Sequence, residues 1–141
     1  MGTMPYLHFR GDCAAALRFY AELTGGTDLQ MMPYAAGPDA PADWKASDRI
    51  MHGQVTLGDG MLMASDFPPG QGGDAQAAVS IMQTFQTEPQ GRAVFDGLAA
   101  EGEVIAPFGP TFFSPSFGMV RDRFGTHWII TGGTAPMQQP G

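Results

Sequence analysis

"RIMHGQVTLGDGMLMASD", residues 49–66, alternates apolar and other side chains on either side of Gly58-Asp59-Gly60. Alternation of period two sends successive side chains to opposite faces of a strand, and glycine accepts the positive φ of a tight turn, so the stretch reads as a β-hairpin. A second such stretch, "SFGMVRDRFGTHWIIT" at residues 116–131, carries Phe124-Gly125 at its turn. What precedes each hairpin is also alike. Before the first come a strand, "PYLHF" (5–9), then Asp12 as N-cap, then "CAAALRFYAELTGG" (13–26) with Cys13, Ala16, Leu17, Tyr20 and Leu23 at helical spacing, then a strand, "TDLQMMPY" (27–34). Before the second come "AVSIMQTF" (78–85), a helix "EPQGRAVFDGLAAEG" (88–102) opened by Thr87 and Gln90 at capping-box spacing, and a strand running into a loop, "EVIAPFGPTFF" (103–113). That second helix is expected to bury Val94, Phe95, Leu98 and Ala99.

The repeated order predicts an α+β fold of tandem βαβββ modules, 4–66 and 78–131, joined by the Gly/Pro-rich linker 67–77 within a single domain over 1–141. Two mixed sheets with helices outside are expected to curl around a shared cleft. "AAGPDAPADWKASD" (35–48) reads as a long loop because its prolines cannot continue a ladder, and the terminal "GGTAPMQQPG" (132–141) is expected to fray.

A chain of 141 residues with 43% hydrophobic content can bury one core. Its formal charge of -7 excludes partners that need a basic face, nucleic acid and anionic membranes among them. The lone Cys13 has no partner for an internal disulfide, which fits a reducing compartment and a small buried apolar side chain. Neither a signal-peptide pattern at "MGTMPYLHFRGD" nor an apolar run long enough to span a membrane is present, so a soluble, cytoplasmic protein is expected.

The segments "PYLHFRGDCAAALRFYAELTGG", "DRIMHGQVTLGDGMLMASD" and "FGMVRDRFGTHWII" resemble, in order, signature segments of the PhnB-like branch of the vicinal oxygen chelate superfamily. That superfamily includes glyoxalase I, bleomycin-resistance proteins, extradiol dioxygenases and fosfomycin-resistance enzymes. The resemblance implies a homodimer with a ligand cleft. It also implies a divalent ion held by His, Gln or Glu on the first and last strands of each module, with open positions for paired substrate oxygens. In the metal-binding relatives a glutamate stands four residues after the turn glycine; here that position is Ile129. The other family positions fall near Met4, at Ser80, Met82 or Gln83, and at Ser65 or Asp66, so the implied set is incomplete and no metal ligand is assigned. The branch also carries a demethylubiquinone methyltransferase label, yet no glycine-rich loop between a strand and a helix stands ready for an adenosyl cofactor.

An unconventional zinc set of His8, His52 and His127 would require all three to face the cleft, with Leu7/Phe9, Val55/Leu57 and Trp128/Ile130 turned to the helices. Against it, His8 and His52 lie two strands apart in the family's sheet order, about 9–10 Å, whereas Zn–N bonds are about 2.0–2.1 Å. The candidate catalytic residues are His52 and His8, as proton-transfer groups. Candidate substrate-binding residues are Tyr6, Gln54, Ser65, Arg121 and His127, with Arg121 as an anion anchor. The leading expectation is a small-molecule-binding protein. Alternatives are a divalent-metal lyase, isomerase or dioxygenase with atypical ligands, and a non-catalytic drug-sequestering protein of the bleomycin-resistance type.

Overall fold

The computed structural model describes residues 2–133. The frayed tail expected from Gly132 onward is corrected at its start, since Gly132 closes the last strand, and residues 134–141 lie outside the described residues. The chain divides into two compact units, Met1–Ala75 and Gln76–Gly141, and the division falls inside the expected linker.

In the first unit, β1 (Tyr6–Phe9), α1 (Cys13–Thr24), β2 (Thr27–Pro33), α2 (Ala42–Lys45), β3 (Ile50–Leu57) and β4 (Gly60–Asp66) follow in chain order. They build a four-stranded mixed sheet of order β1-β4-β3-β2, with β1 parallel to β4 and the other pairs antiparallel. Leu7, Phe9, Val55, Leu57, Leu62 and Ala64 form its buried face, and α1 contributes Cys13, Ala16, Leu17 and Tyr20. Each large side chain taken out of water there contributes about 1.5–3 kcal/mol. The expected Leu23 is half-buried instead. The segment read as an open loop also holds a 3₁₀ turn, Tyr34–Ala36, and α2. It is fastened where the Tyr34 hydroxyl donates to the Asp66 carbonyl at 2.8 Å and the Tyr34 ring meets Trp44 edge-on.

The start of α1 departs from expectation. Asp12 stands at the N-cap but makes no side-chain capping bond. Asp66, from the far end of the hairpin, does so in its place: its Oδ1 accepts the N–H of Gly11 at 2.8 Å and of Cys13 at 3.0 Å, and its Oδ2 that of Ile50 at 2.8 Å. One carboxylate, 1% exposed, thereby satisfies orphan donors at the helix start and at the start of β3. The Cys13 thiol beside it is pushed up to about 12, first by burial and then by the Asp66 charge. Cys13 is the inert core residue its sequence context suggested.

The second unit repeats the order with β5 (Ser80–Phe85), α3 (Glu88–Ala99), β6 (Glu103–Gly109), β7 (Phe117–Arg121) and β8 (His127–Gly132) in a sheet of order β5-β8-β7-β6. The capping box forms as spaced, with Gln90 N–H donating to Thr87 Oγ1 and Thr87 N–H to Gln90 Oε1. Val94, Phe95 and Leu98 pack with Phe108, Val120, Trp128 and Ile130, while Ala99, expected in that core, is only half-buried. Asp122 is a second buried carboxylate, accepting from Phe124 N–H, Thr126 N–H and Trp128 Nε1 and so fixing the β7–β8 turn.

Candidate functional site

Each sheet has a helix on one face and leaves the other open. Register decides which side chains share the open face. In the first unit Tyr6 pairs with Met63 and Met63 with Gln54, while His8 pairs with Ser65. Because side chains alternate, Tyr6, His8, His52, Gln54, Met63 and Ser65 all fall on the side away from α1. The Tyr6 hydroxyl reaches diagonally to His52 Nδ1 at 3.4 Å, and His52 Nε2 meets Gln54 Oε1 at 3.2 Å. Tyr6 also lies against the His8 ring at 5.2 Å, and His8 stacks on Phe67 at 5.4 Å and 18°.

These contacts define the chemistry. An amide oxygen only accepts, so with Gln54 Oε1 at Nε2 that nitrogen carries the imidazole proton and Nδ1 offers its lone pair. Tyr6 then donates to Nδ1, leaving its own lone pairs to accept from whatever lies above the sheet. Tyr6 is 42% exposed and His52 is half-buried, so the tyrosine is the more accessible end of the chain. Sequence reading places proton transfer on His52 or His8; here both nitrogens of His52 are engaged, one by Tyr6 and one by Gln54. His8 is exposed and ring-stacked. Ser65 is 7% exposed and lies beneath the row rather than at its surface.

The remaining candidates lie in the second unit. Arg121 pairs with His127 in the β7–β8 register and with Glu103 on the other side. Its guanidinium leans over the turn, Nη2 lying 3.8 Å from where a Cβ on Gly125 would stand. Within the first unit the structure groups Tyr6, His8, His52 and Gln54, and within the second Arg121 and His127 are register partners. Leu7/Phe9, Val55/Leu57 and Trp128/Ile130 are buried on the helix-facing sides, as the histidine parity requires. Even so, among the described residues no group of three or more His, Cys, Asp or Glu side chains could hold a metal ion.

The family's ligand positions can be tested residue by residue. Of Ser80, Met82 and Gln83, the three positions implied for a histidine, Met82 is the register partner of Ile129, so the implied glutamate position faces an apolar side chain. Asp66, the only carboxylate at the corresponding end of the first module's closing strand, has both oxygens committed to backbone N–H groups on the helix side. Thioether and aliphatic groups in place of hard oxygen and nitrogen donors do not suit a divalent Lewis-acid centre. The residues present do not fit the superfamily's metal.

Paired βαβββ units of this kind are the fold of the glyoxalase/bleomycin-resistance/dioxygenase superfamily. A domain of that description from Frankia sp. EAN1pec superposes with a TM-score of 0.63 at 14% identity, over 95% of this chain and 98% of that one. The chain belongs to the PhnB-like family whose sequence profile, described as 3-demethylubiquinone-9 3-methyltransferase, matches residues 2–131. It is 32% identical over 139 residues to Protein YjdN of Escherichia coli (strain K12), covering 92% of this chain and 94% of that protein. It resembles the crystal structure of protein PA1353 from Pseudomonas aeruginosa, with a TM-score of 0.86 and 38% identity over 96% and 99% of the two chains. A Bacillus cereus structure described as a putative 3-demethylubiquinone-9 3-methyltransferase, PhnB protein, follows at 0.73 and 25% identity, over 94% of this chain and all 100% of that one. The fold and family expected from the signature segments are those found.

Phe67 and the hydroxyls of Thr84 and Thr131 line the open faces but do not emerge from sequence reasoning. Strand parity alone puts Thr84 and Thr131 on one face. Phe67 lies in the linker, where no periodicity applies.

Proposed function

We propose that this chain binds a small organic molecule on the open sheet face of its first module, over Tyr6, His8, His52 and Gln54. The observation that carries the reading is the chain Tyr6 OH to His52 Nδ1, with His52 Nε2 held by Gln54, ending in an exposed phenol. A ligand that donates a hydrogen bond to Tyr6 Oη finds an acceptor backed by an imidazole, and a proton can move from ligand to Tyr6 as the Tyr6 proton moves to His52 Nδ1. Acidic hydroxyls, phenols above all, are the matching chemistry. His8 stacked on Phe67 supplies a flat aromatic floor beside the polar chain.

The family's description names methyl transfer, and the strand–helix junctions bear on that. At the β1–α1 junction the N–H groups of Gly11 and Cys13 are taken by Asp66, and at the β5–α3 junction Thr87 and Gln90 cap each other. These donors are spent on the chain's own side chains, and neither junction carries a glycine-rich loop to cradle an adenosyl cofactor, so binding with proton sharing is the reading we favour. With it we carry forward a single domain over 1–141, a homodimer and a cytoplasmic location. Light scattering of the purified chain tests the dimer.

The test of the site is a titration with 4-nitrophenol, whose visible absorbance distinguishes phenol from phenolate. Saturable binding with a spectral change is expected, weakened about three- to tenfold in Tyr6→Phe. In His52→Ala the ligand still binds but the phenolate signal is lost. Equal affinity and equal spectra for wild type and Tyr6→Phe would refute the site.

A further inference from the structure

We infer that the second module carries, within its own residues, a binding pocket for a flat, two-ring aromatic molecule bearing one hydrogen-bond donor. The pocket, about 250 Å³, is lined mainly by Met82, Thr84, Phe113, Pro115, Phe117 and Thr131. An apolar cavity of about 150 Å³ accommodates benzene, so this volume suits a fused bicycle better than a single ring or a drug-sized ligand.

Register relates it to the first module's polar face. Phe9 opposite Asp66 and Phe85 opposite Gly132 close the parallel pairs of the two modules. Counting back from those closing pairs, Tyr6, His8 and Ser65 correspond to Met82, Thr84 and Thr131, and across the hairpins His52 corresponds to Phe117. The same fold positions that hold a phenol and two imidazoles in one module thus hold a thioether, a hydroxyl and a phenyl ring in the other. The second module thus sets an apolar lining where the first holds proton-handling groups, and Met82, one of the three positions implied for a histidine ligand, is part of it.

Three hydroxyls remain in the lining: Ser114 Oγ is taken up by the carbonyl and N–H of Ser116, and those of Thr84 and Thr131 form a pair. Thr131 Oγ1 donates to Thr84 Oγ1 at 3.0 Å, which leaves lone pairs on both oxygens to accept from a ligand. Phe113 and Phe117 meet edge to face at 5.1 Å and 78°, a geometry to which a third aromatic ring can add. Met82 is 60% exposed, and its flexible thioether can close over such a ring.

The wall is also preformed. Thr111 Oγ1 accepts the N–H groups of Phe113 and Ser114, the Ser114 carbonyl accepts from Thr111 N–H, and Ser116 N–H donates to Ser114 Oγ. Gly132 N–H then ties the loop to β8 through the Ser116 carbonyl at 3.3 Å. A loop ordered by its own hydrogen bonds loses little entropy when a ligand arrives.

The test uses the full chain and two probes, indole and 1-methylindole, the second lacking the donor. Calorimetric or NMR titration should show indole binding saturably, with shifts on β5, β8 and residues 113–117. In wild type 1-methylindole should bind about three- to tenfold more weakly. In Thr84→Val/Thr131→Val, whose folding is checked by its thermal transition, the two probes should bind equally. Met82→Trp, which crowds the pocket without touching the hydroxyls, should weaken both. His52→Ala should leave indole binding unchanged, so failure of the first module's site and failure of this one are told apart. Absence of saturable binding at millimolar probe, discrimination that survives in the double variant, or loss of indole binding in His52→Ala would each overturn the inference.

Discussion

Gly53 and Gly118 are the same residue of the repeat: each stands on its module's inner hairpin strand, paired with Ala64 and Ile130 respectively, and each lies under its module's helix. A Cβ on Gly53 would come within 2.6 Å of Leu17 Cδ1, and one on Gly118 within 2.7 Å of Phe95 Cε2. Both helices therefore dock closely enough that only a hydrogen fits beneath them, and the duplication is written into packing where sequence identity has faded.

Alanine at either position should destabilise, but not equally. At Gly53 the obstructing atom is a methyl end of Leu17, which can shift at some cost in its fully buried setting. At Gly118 the added carbon meets the Phe95 ring and, at 2.9 Å, the backbone Cα of Phe108, which cannot rotate away. Overpacking typically costs about 1–3 kcal/mol; we expect Gly53→Ala near the lower figure and Gly118→Ala at or above the upper, by urea denaturation. A reversed order would show that the helix of the second module is the looser one.

The Asp66 carboxylate is expected to respond sharply to an isosteric change. Asn keeps one oxygen but turns an amide N–H₂ toward a backbone N–H of Gly11, Cys13 or Ile50, donor against donor. Asp66→Asn should cost about 2–3 kcal/mol, with increased hydrogen exchange at Cys13 and Ile50. Wild-type stability in this variant would mean that the three bonds do not set the β1–α1 junction.

Asp66 also marks the boundary of what the sequence makes legible. Strands, helices, hairpin turns and the Thr87–Gln90 box follow from spacings of two to four residues, and they emerge as read. The bonds of Asp66 to Gly11 and Cys13 span 55 and 53 residues, so the nearby Asp12 looks like the cap and the true one is invisible. Asp122 is a second case: it stands between two arginines beside a turn, yet it is 4% exposed and holds that turn, while Arg123 pairs with Glu101. The candidate site was half legible. Parity put Tyr6, His8, His52 and Gln54 on one face, but the contact of Tyr6 with His52 depends on a long side chain crossing the intervening β4, which strand counting alone does not supply.

Cys13 should be silent in the native protein. Burial, reinforced by the Asp66 charge, raises its thiol from 9.0 to about 12, so little thiolate exists at neutral pH. Iodoacetamide at pH 8 should label it only after denaturant is added. The pH dependence follows in sign. The unfolded thiol ionises near its ordinary value and the folded one does not, so this contribution is complete below about pH 9 and is lost as pH rises toward 12. Tyr34, raised by burial and then by the charges of Tyr6 and Asp66, acts in the same direction. The stability difference between wild type and Cys13→Ala should shrink over that interval; a constant difference would contradict the burial of the thiol.

Arg49 gives a last test, of how the first module's polar face keeps its aromatic floor. Its Nη1 donates to the carbonyls of Phe67, Pro68 and Gln71 at 3.0, 3.3 and 3.2 Å, and its Nη2 to that of Arg10 at 3.3 Å. One planar guanidinium thus gathers the end of β4, the turn after it and the chain leaving β1, and Phe67 is the residue on which His8 stacks. Lysine keeps the charge but places three donors on a single atom, which cannot span four carbonyls. Arg49→Lys should leave the global unfolding midpoint nearly unchanged, because the core of α1 and the sheet is untouched. It should nonetheless speed proteolysis within 67–73 and broaden the His8 ring resonances as the stack with Phe67 loosens. Unchanged cleavage and sharp His8 signals would show that the 67–73 segment holds itself in place without the arginine.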